Sequence, residues 1–333
     1  MLKDILNNKI DEYIKNNKLN RELSFGENYR VEFLAQGEYN INFILTGGNK
    51  KYVFRVNTGS QLALENQIRY EYEALKNLES SGVTPKVYYV DDTKKQLNYG
   101  VLIMEFLEGK PLEYYKDLKS AAEIFSKIHS LDVKENNFEG LIIEENIFTA
   151  RINEAKRLLT DFYENAKIPL QLKNFFYEFI NWAEENRYKE KYFLDNKWHT
   201  VNNTEVNSSN FIIGNEKSYL IDWEKPVVSD PCQDLTQFLS PTTTLWKTDY
   251  ILSREEKEEF FKAYVSGLKG KDNEIRDRVK LYTPYLYLRA LSWCAYAYLE
   301  YQKEDKEIKN IDTYNKIKQY LDLEFMKGLL KDI

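Results

Sequence analysis

The chain has 333 residues and a formal net charge of −6, with 30% charged and 43% hydrophobic residues, which is typical of a globular protein with one large domain or two lobes. The acidic balance argues against a nucleic-acid partner, because such proteins usually carry a basic patch. No run approaches the roughly 18 apolar residues of a membrane span, and the two cysteines form no CxxC pair, so we expect a cytoplasmic protein with reduced thiols and no membrane partner.

The first third of the sequence predicts a leading helix, five strands and one long helix. Residues 1–20 carry apolar side chains at helical spacing. Residues 29–57 contain three strand-like runs separated by glycine-containing turns, at the short spacing of an antiparallel meander. The long helix is predicted over 61–80, and the last two strands over 85–92 and 99–109.

Helices dominate the remainder of the chain, with a strand-rich interruption at 206–222. The predicted helices cover residues 117–130, 148–165, 169–187, 232–240, 254–268, 272–300 and 312–331. This order predicts an α+β fold with a small lobe at 1–105, a hinge at 106–110 and a larger helical lobe at 111–333.

The segment 202–224 has the layout of a phosphoryl-transfer site. Asn210 follows Glu205 by five residues, and Asp222 follows two short apolar runs that flank a Gly214-Asn215 turn. A hairpin of that length would place Asp222 beside Asn210, and two such oxygen ligands suit Mg²⁺. Phosphoryl transfer also needs a carboxylate that orients the attacking hydroxyl, for which Glu205 is the candidate. Each residue alone fits an ordinary turn or strand end, so the hypothesis rests on the combination.

The first lobe supplies candidates for binding the nucleotide phosphates. Gly37 lies in the first hairpin, although a single glycine is not a GxGxxG loop. Arg55 lies on the third strand and shares a face with Val53, and its planar guanidinium suits phosphate. A cation between apolar positions needs a partner, for which Glu71 and Glu65 on the following helix are the candidates. The competing interpretation is a surface ion pair of little value.

These residues carry a resemblance to the aminoglycoside phosphotransferase and choline kinase-like family, small-molecule kinases with a two-lobe, protein-kinase-like fold. Residues 221–224, IDWE, match a motif of that family, and residues 229–235, SDPCQDL, are similar to its Asp-Pro-x-x-Asp-Leu segment. Residues 37–40, GEYN, resemble its Gly-x-x-Asn hairpin, and residues 69–75, RYEYEAL, resemble its Arg-Glu-Tyr-x-Ala-Leu helix. The second resemblance favours Glu71 over Glu65 as the partner of Arg55. The resemblance extends from about residue 30 to residue 300.

The resemblance implies an ATP-dependent phosphotransferase, or one that uses another nucleoside triphosphate, with Mg²⁺ as the metal. Asn40 would join Gly37 in covering the phosphates. The backbone from Glu105 to Leu107 would bind the adenine, and Met104 would line the adenine pocket.

The segment after the hairpin is also implied to have a structural role. Asp230 would brace the catalytic loop, and Asp234 would begin the following helix as an N-terminal acid.

The family phosphorylates hydroxyls of aminoglycosides, choline, ethanolamine, sugars and related metabolites, so a small-molecule hydroxyl acceptor is implied. Its pocket would come from residues 241–249 and the tyrosine-rich segment 281–301. Aromatic faces bind quaternary ammonium groups, and the acidic composition weakly favours a cationic acceptor. Arg289 would oppose a cation if it faced the pocket. The alternative is that the aromatic side chains, Trp293 included, belong to a buried core.

The loop itself departs from the family pattern, His-Gly-Asp-x-His-x-x-Asn. Glu205 replaces the aspartate, and Asn203 and Asn207 replace the histidines. The alternative function is therefore a kinase-fold nucleotide-binding protein with weak or no phosphotransferase activity. A protein kinase is disfavoured, because no long activation segment follows Asp222.

Overall fold

The computed structural model describes residues 2–60, 62–268, 274–303 and 311–331. Its N-terminal part consists of α1 (Leu2–Asn16), α2 (Leu19–Glu22), β1 (Tyr29–Gln36), β2 (Asn40–Gly47), β3 (Lys50–Asn57), α3 (Gln67–Leu78), β4 (Val87–Asp91) and β5 (Gly100–Glu105). The remainder consists of β6 (Lys110–Pro111), α4 (Tyr114–His129), β7 (Ile142–Ile143), α5 (Ile147–Leu158), α6 (Thr160–Glu164), α7 (Leu170–Asn186), α8 (Lys191–Asp195), β8 (Thr200–Asn202), β9 (Phe211–Ile213), β10 (Ser218–Leu220), β11 (Val227–Ser229), α9 (Cys232–Leu239), α10 (Pro241–Lys247), α11 (Arg254–Gly267), α12 (Ile275–Glu300), α13 (Ile311–Tyr320) and α14 (Leu323–Leu329). The predicted α+β fold, an antiparallel sheet followed by a mainly helical part, is confirmed.

The N-terminal sheet has the strand order β1-β2-β3-β5-β4, and its neighbouring strands are antiparallel. The turn between β2 and β3 passes through Gly48, whose φ of +57° is a left-handed conformation that glycine adopts without steric cost. The register places Asn42 opposite Arg55 and Arg55 opposite Leu102. Arg55 therefore lies on the central strand of the sheet.

The two faces of this sheet belong to two different hydrophobic cores. Phe54 and Val56 face a core that α1 completes with Ile10 and Ile14. Val53, one position from Phe54, packs against a second and larger core. Because side chains alternate along a strand, Arg55 shares the Val53 face. Arg55 therefore points towards the helical part of the molecule.

The second core extends from α3 across the sheet into the helices. Leu75 of α3 and Met104 of β5 belong to it together with Phe125 of α4 and Phe238 of α9. The Phe125 and Phe238 rings meet edge to face, with centroids 5.4 Å apart. This shared core fixes the sheet against the helices that carry the remaining site residues.

A short hairpin of β9 and β10 lies where the two parts meet. β9 pairs with β10 on one side and with β6 on the other, where Lys110 lies opposite Ile213. A Cβ atom on Gly109 would lie 2.7 Å from the Ile213 carbonyl oxygen, so the close approach requires glycine. Leu220 N–H donates to the Val83 carbonyl at 2.9 Å. The hairpin is thus tied to both the segment after β5 and the loop before β4.

Several predicted boundaries differ from the structure. The helix predicted over 61–80 begins at Gln67, and residue 61 lies outside the described residues. The helix predicted over 148–165 is divided into α5 and α6, and the one over 312–331 into α13 and α14. The helices predicted over 1–20 and 272–300 begin at residues that also lie outside the described ones, namely residue 1 and residues 272–273. The predicted hinge, 106–110, covers the residues that join β5 to β6 and the first residue of β6. The division into two lobes stays a prediction.

Two further observations concern the helices. The sequence did not predict α10, which Ser240 caps by accepting a hydrogen bond from Thr242 N–H, with Pro241 in its first turn. Among the helices of the described ranges, none is long and apolar enough to span a bilayer.

Candidate active site

A cleft with a cavity volume of about 820 Å³ lies between the hairpin of β1 and β2 and the helical part of the molecule. The predicted site residues that line it are Gly37, Asn40, Arg55, Glu205, Asn210 and Asp222. A smaller cavity of about 350 Å³ lies beside α3, lined by Glu65 and Arg69 among others. Most of the predicted site is thus brought into one large cleft.

Asn210 and Asp222 lie at the two ends of the β9–β10 hairpin. Ile221 N–H donates to the Asn210 carbonyl at 2.8 Å, so the residue before Asp222 is bonded directly to Asn210. The Asn210 side-chain N–H donates to the Glu205 carbonyl at 2.7 Å, which leaves the amide oxygen for another ligand. Asp222 has a φ of 63°, a left-handed backbone conformation that is rare for aspartate and recurs at functional sites.

The carboxylates around this hairpin end outnumber the cations. Burial, together with the neighbouring Asp222, Glu205 and Glu71 carboxylates, raises the pKa of Glu224 to about 8, against the opposing charge of Arg55. This excess of negative charge suits a divalent cation. Among the described residues, no group of three or more His, Cys, Asp and Glu side chains could hold a metal by itself. Two protein oxygens completed by phosphate and water oxygens are the arrangement that Mg²⁺ favours.

Glu205 is paired with a lysine that the sequence analysis did not identify. Glu205 Oε1 lies 2.5 Å from Lys225 Nζ, and both residues line the cleft. The Glu205 side chain is 26% exposed, whereas that of Lys225 is 8% exposed. Lys225 follows the IDWE motif directly, and this position was the signal that could have pointed to it. Glu205 itself lies where the sequence predicts the catalytic carboxylate.

The loop that carries Glu205 is braced by Asp234, not by Asp230 as the resemblance implied. The Asp234 carboxylate accepts hydrogen bonds from Asn203 N–H at 2.7 Å and Thr204 N–H at 2.8 Å. Asp234 lies in the first turn of α9, as predicted. Asp230 instead forms a buried ion pair with Arg278 and accepts from Cys232 N–H at 3.0 Å. Asp234, in the first turn of α9, therefore bonds to the loop, whereas Asp230 bonds to the first N–H of the helix.

Asn203 and Asn207 stabilise the loop by side-chain hydrogen bonds to the backbone. Asn203 Oδ1 accepts from Glu205 N–H at 3.0 Å, and its Nδ2 donates to the Asp222 carbonyl at 3.0 Å. Asn207 Oδ1 accepts from Ser209 N–H at 3.0 Å. Asn203 thus joins the backbone of the proposed catalytic residue to that of the proposed metal ligand.

Arg55 forms a buried ion pair with Glu71, the predicted partner. The same Nη1 atom lies 3.4 Å from Asp222 Oδ1, and Arg55 Nε donates to Asn42 Oδ1 at 2.9 Å. Burial raises the pKa of Glu71 to about 7, and the charge of Arg55 acts against this rise. Glu65, the alternative partner, is exposed and precedes α3. Glu71 and Asn42 therefore hold the Arg55 guanidinium in one orientation.

The first hairpin is joined to the IDWE motif through Asn40. Gly37 N–H donates to the Asn40 carbonyl at 2.9 Å and closes the turn. Asn40 Nδ2 donates to Glu224 Oε2 at 2.5 Å, and Asn57 Nδ2 donates to Asn40 Oδ1 at 3.0 Å. The turn that was predicted to cover the phosphates is thus bonded to Glu224, two residues from Asp222.

The predicted adenine-binding residues lie apart from the residues that line the cleft in the described chain. Met104 is buried in the second core. Glu105 N–H donates to the Lys86 carbonyl at 2.8 Å, so this amide already has a partner. The backbone groups of Phe106 and Leu107 are the remaining candidates for an adenine contact. Adenine binding there stays a prediction.

The far end of the cleft contains aromatic side chains and an ion pair. The Trp246 ring meets Trp293 and Tyr320 edge to face, with centroids 5.6 and 5.5 Å away. Arg289 Nε lies 3.5 Å from Glu154 Oε2. Burial acts to raise the pKa of Glu154, but cations that include Arg289, Arg151 and Lys225 outweigh burial and lower it. Glu154 is therefore an ionised, paired carboxylate.

The tyrosine-rich segment 281–301 contributes side chains both to the core and to the cleft. Tyr282 and Tyr285 are buried in the second core. Arg289 and Trp293, one helical turn apart, line the cleft. α12 thus turns one side to the core and another to the cleft.

Residues 30–282 of the chain match the phosphotransferase enzyme family. No curated protein matches the chain in sequence. Several solved structures share its fold at low sequence identity. A choline/ethanolamine kinase family protein from Mesorhizobium loti superposes with a TM-score of 0.61 at 19% identity, over 99% of this chain and 98% of that protein.

Two further structures extend the comparison to different acceptors. A choline kinase from Streptococcus pneumoniae has a TM-score of 0.59 at 19% identity, over 95% of this chain and 99% of that one. A spectinomycin phosphotransferase in complex with ADP and spectinomycin has a TM-score of 0.61 at 15% identity, over 94% of this chain and 96% of that one. These similarities establish the shared fold.

Proposed function

Because the chain belongs to the phosphotransferase enzyme family, we propose that it is an ATP-dependent kinase that phosphorylates a hydroxyl group of a small metabolite, an aminoglycoside or a choline-like compound. The observation that carries the proposal is the single cleft in which Arg55, Asn210, Asp222 and Glu205 meet. A cation for phosphate, two oxygen ligands for a metal and a carboxylate for the acceptor are what phosphoryl transfer requires.

Asn210 and Asp222 would hold Mg²⁺. Their oxygens, and the surplus of carboxylates that raises the pKa of Glu224, fit a divalent cation. When bound, the metal supplies charge neutralisation for the phosphates. Arg55, fixed by Glu71, binds the non-transferring phosphates, and the Gly37–Asn40 turn covers them. ADP and AMP accompany spectinomycin phosphotransferase in the similar structures, which supports nucleotide binding in this fold.

Glu205 orients the acceptor. The hydroxyl oxygen forms a bond to the γ-phosphorus, and the bond from that phosphorus to the β–γ bridging oxygen breaks. ADP leaves with the electron pair, and the hydroxyl proton passes to the Glu205 carboxylate. Because the transition state is loose, placement of the carboxylate matters more than its basicity. Glutamate and aspartate differ little in intrinsic pKa, about 4.3 and 3.9.

A second candidate function is a kinase-fold nucleotide-binding protein with weak or no phosphotransferase activity. The replacement of the usual aspartate by Glu205, and of two histidines by Asn203 and Asn207, favours it. The hydrogen bonds of Asn203 to the backbone of Glu205 and Asp222 argue for an adapted loop. A degenerate loop would be expected to lose such contacts together with its metal ligands.

The test is ADP release from MgATP in the presence of a panel of hydroxylated compounds divided into cationic, neutral and anionic members. The proposed function predicts release that depends on one acceptor class and a phosphorylated product by mass spectrometry. ATP binding without a product from any acceptor would support the second candidate function.

A further inference from the structure

Lys225 is a nearly buried lysine that two consecutive loop residues hold at both ends. Its ammonium lies 2.5 Å from Glu205 Oε1, and its backbone carbonyl accepts a hydrogen bond from Thr204 Oγ1 at 3.0 Å. The side chain is 8% exposed. A buried ammonium is costly unless it is paired, so the pair with Glu205 stabilises the buried position of Lys225.

The Glu205 backbone is fixed, whereas its side chain depends on Lys225. Glu205 N–H donates to Asn203 Oδ1 at 3.0 Å, and its carbonyl accepts from Asn210 Nδ2 at 2.7 Å. The Glu205 side chain is 26% exposed, and its carboxylate contacts Lys225. A glutamate carries one more rotatable bond than an aspartate, and a side chain left free loses catalytic placement. The ion pair removes that freedom.

Lys225 also lines the same cleft as Arg289 and Trp293. Its charge is among those that lower the pKa of Glu154, whose carboxylate is 3.0 Å from Arg151 and 3.5 Å from Arg289. The lysine therefore shares one cleft with the loop carboxylate and with the aromatic and charged wall. A side chain in this position can set the direction of the Glu205 carboxylate relative to an acceptor.

We propose that Lys225 is a positioning residue that fixes the carboxylate of Glu205 for the acceptor hydroxyl, so that the two side chains act as one catalytic unit. The inference rests on the proposed function. It assigns a task to a residue outside the matched motifs, and it explains how a longer carboxylate serves where the family has aspartate.

The test replaces Lys225 by methionine, which keeps the length and apolar stem of the side chain but removes its charge. We expect kcat to fall about 10- to 100-fold, because a displacement of about 1 Å can cost about 10²-fold in rate. The KM for ATP should stay within about twofold, since Arg55, Asn210 and Asp222 are untouched. Lys225→Arg keeps the charge and should recover part of kcat. Circular dichroism and the ATP dissociation constant verify that each variant folds.

A double-mutant cycle separates positioning from general stabilisation. In a Glu205→Gln background, Lys225→Met should change the single-turnover rate less than about twofold, because the unit is already broken. A loss of the same size in both backgrounds, or an unchanged kcat in Lys225→Met, overturns the inference while leaving the proposed function intact. A folded wild-type protein that transfers phosphate to no acceptor rejects the proposed function, and this inference with it.

Discussion

Glu205 carries its carboxylate one methylene further from the backbone than an aspartate would, and the structure shows where that length is used. The carboxylate reaches Lys225 at 2.5 Å, while its backbone is fixed by Asn203 and Asn210. Shortening the side chain would therefore separate the carboxylate from its partner. The loop is built around glutamate, although its sequence differs from the family pattern at four positions, Asn203, Thr204, Glu205 and Asn207.

We therefore expect Glu205→Asp to lower kcat by about 10²-fold, even though it introduces the usual family residue. Glu205→Gln should lower kcat further, because the amide cannot accept the hydroxyl proton. Steady-state rates on any accepted substrate measure both. Glu216→Asp, in the exposed hairpin turn, is the matched control and should leave kcat unchanged. A gain of activity in Glu205→Asp would indicate an eroded loop.

Asp222 is predicted to make nucleotide binding depend on a divalent metal. Wild-type protein should bind ATP at least about tenfold more tightly with Mg²⁺ than with a chelator, since the ion bridges the phosphates to the hairpin. Asp222→Ala should lose most of this difference. Isothermal titration with and without chelator measures it, with the fully exposed Asp249→Ala as control. Equal metal dependence in wild type and Asp222→Ala would reject the assignment.

Arg55 provides a prediction that separates phosphate binding from a structural role. Arg55→Ala should weaken ATP binding by about tenfold or more and adenosine binding by less than about twofold, because adenosine carries no phosphates. Arg69→Ala removes a partly exposed arginine of α3 that pairs with Asp92, and it should affect neither ligand. If Arg55→Ala weakened ATP and adenosine equally, the ion pair with Glu71 would serve the fold alone.

Among the helices and strands, the sequence correctly predicted those whose hydrophobic periodicity extends over enough residues to be detected. The meander, α3, α4 and α12 follow from alternation or helical spacing over 8 or more residues. Strands such as β6 and β7, of 2 residues each, have no period to detect, because their formation depends on partners distant in sequence. α10 has only 7 residues, and its threonine-rich sequence is typical of a loop unless Ser240 is identified as a helix cap.

The residues of the candidate site also divide into those that a sequence pattern identified and those that it missed. Motif spacing brought Glu205, Asn210 and Asp222 together, and they line one cleft. The resemblance of residues 69–75 to the family's helix motif indicated Glu71 as the partner of Arg55. Lys225 was missed because its role depends on a contact across 20 residues of chain that no local pattern encodes. That Asp234 and not Asp230 braces the loop was missed for the same reason, because this contact joins residues about 30 positions apart in the chain.

α12 presents Arg289 and Trp293 to the cleft, so a change there should affect the acceptor alone. Arg289→Ala removes a cation and frees Glu154 from one partner. We expect the acceptor KM to change by about tenfold, falling for a cationic acceptor and rising for an anionic one, while the ATP KM stays within twofold. Arg276→Ala, at the start of the same helix and paired with Glu258, is the matched control. A parallel change in the ATP KM would contradict the division of the cleft.

For the whole molecule, the larger core is the feature that joins the sheet to the helices. Ile68 and Leu75 of α3, with Met104 of β5, are buried in the same cluster as Phe125 of α4 and Phe238 of α9. Separating the two parts would expose these side chains, and full burial of each is worth about 1.5–3 kcal/mol. The sheet therefore gains part of its stability from the helical part, and neither is expected to unfold alone.

This shared core predicts that the sheet and the helical part unfold together in urea. All five tryptophans lie beyond residue 111, at Trp182, Trp198, Trp223, Trp246 and Trp293, so tryptophan fluorescence reports on the helical part. Pulsed hydrogen exchange of peptides from β2 and β3 reports on the sheet. The two midpoints should coincide, as cooperative unfolding requires, and saturating MgATP should raise both equally, because a ligand at 100 times its dissociation constant adds about 2.7 kcal/mol. Loss of exchange protection in β2 and β3 at lower urea than the fluorescence change would show that the second core does not couple the two parts, and the lobes would then be independent folding units.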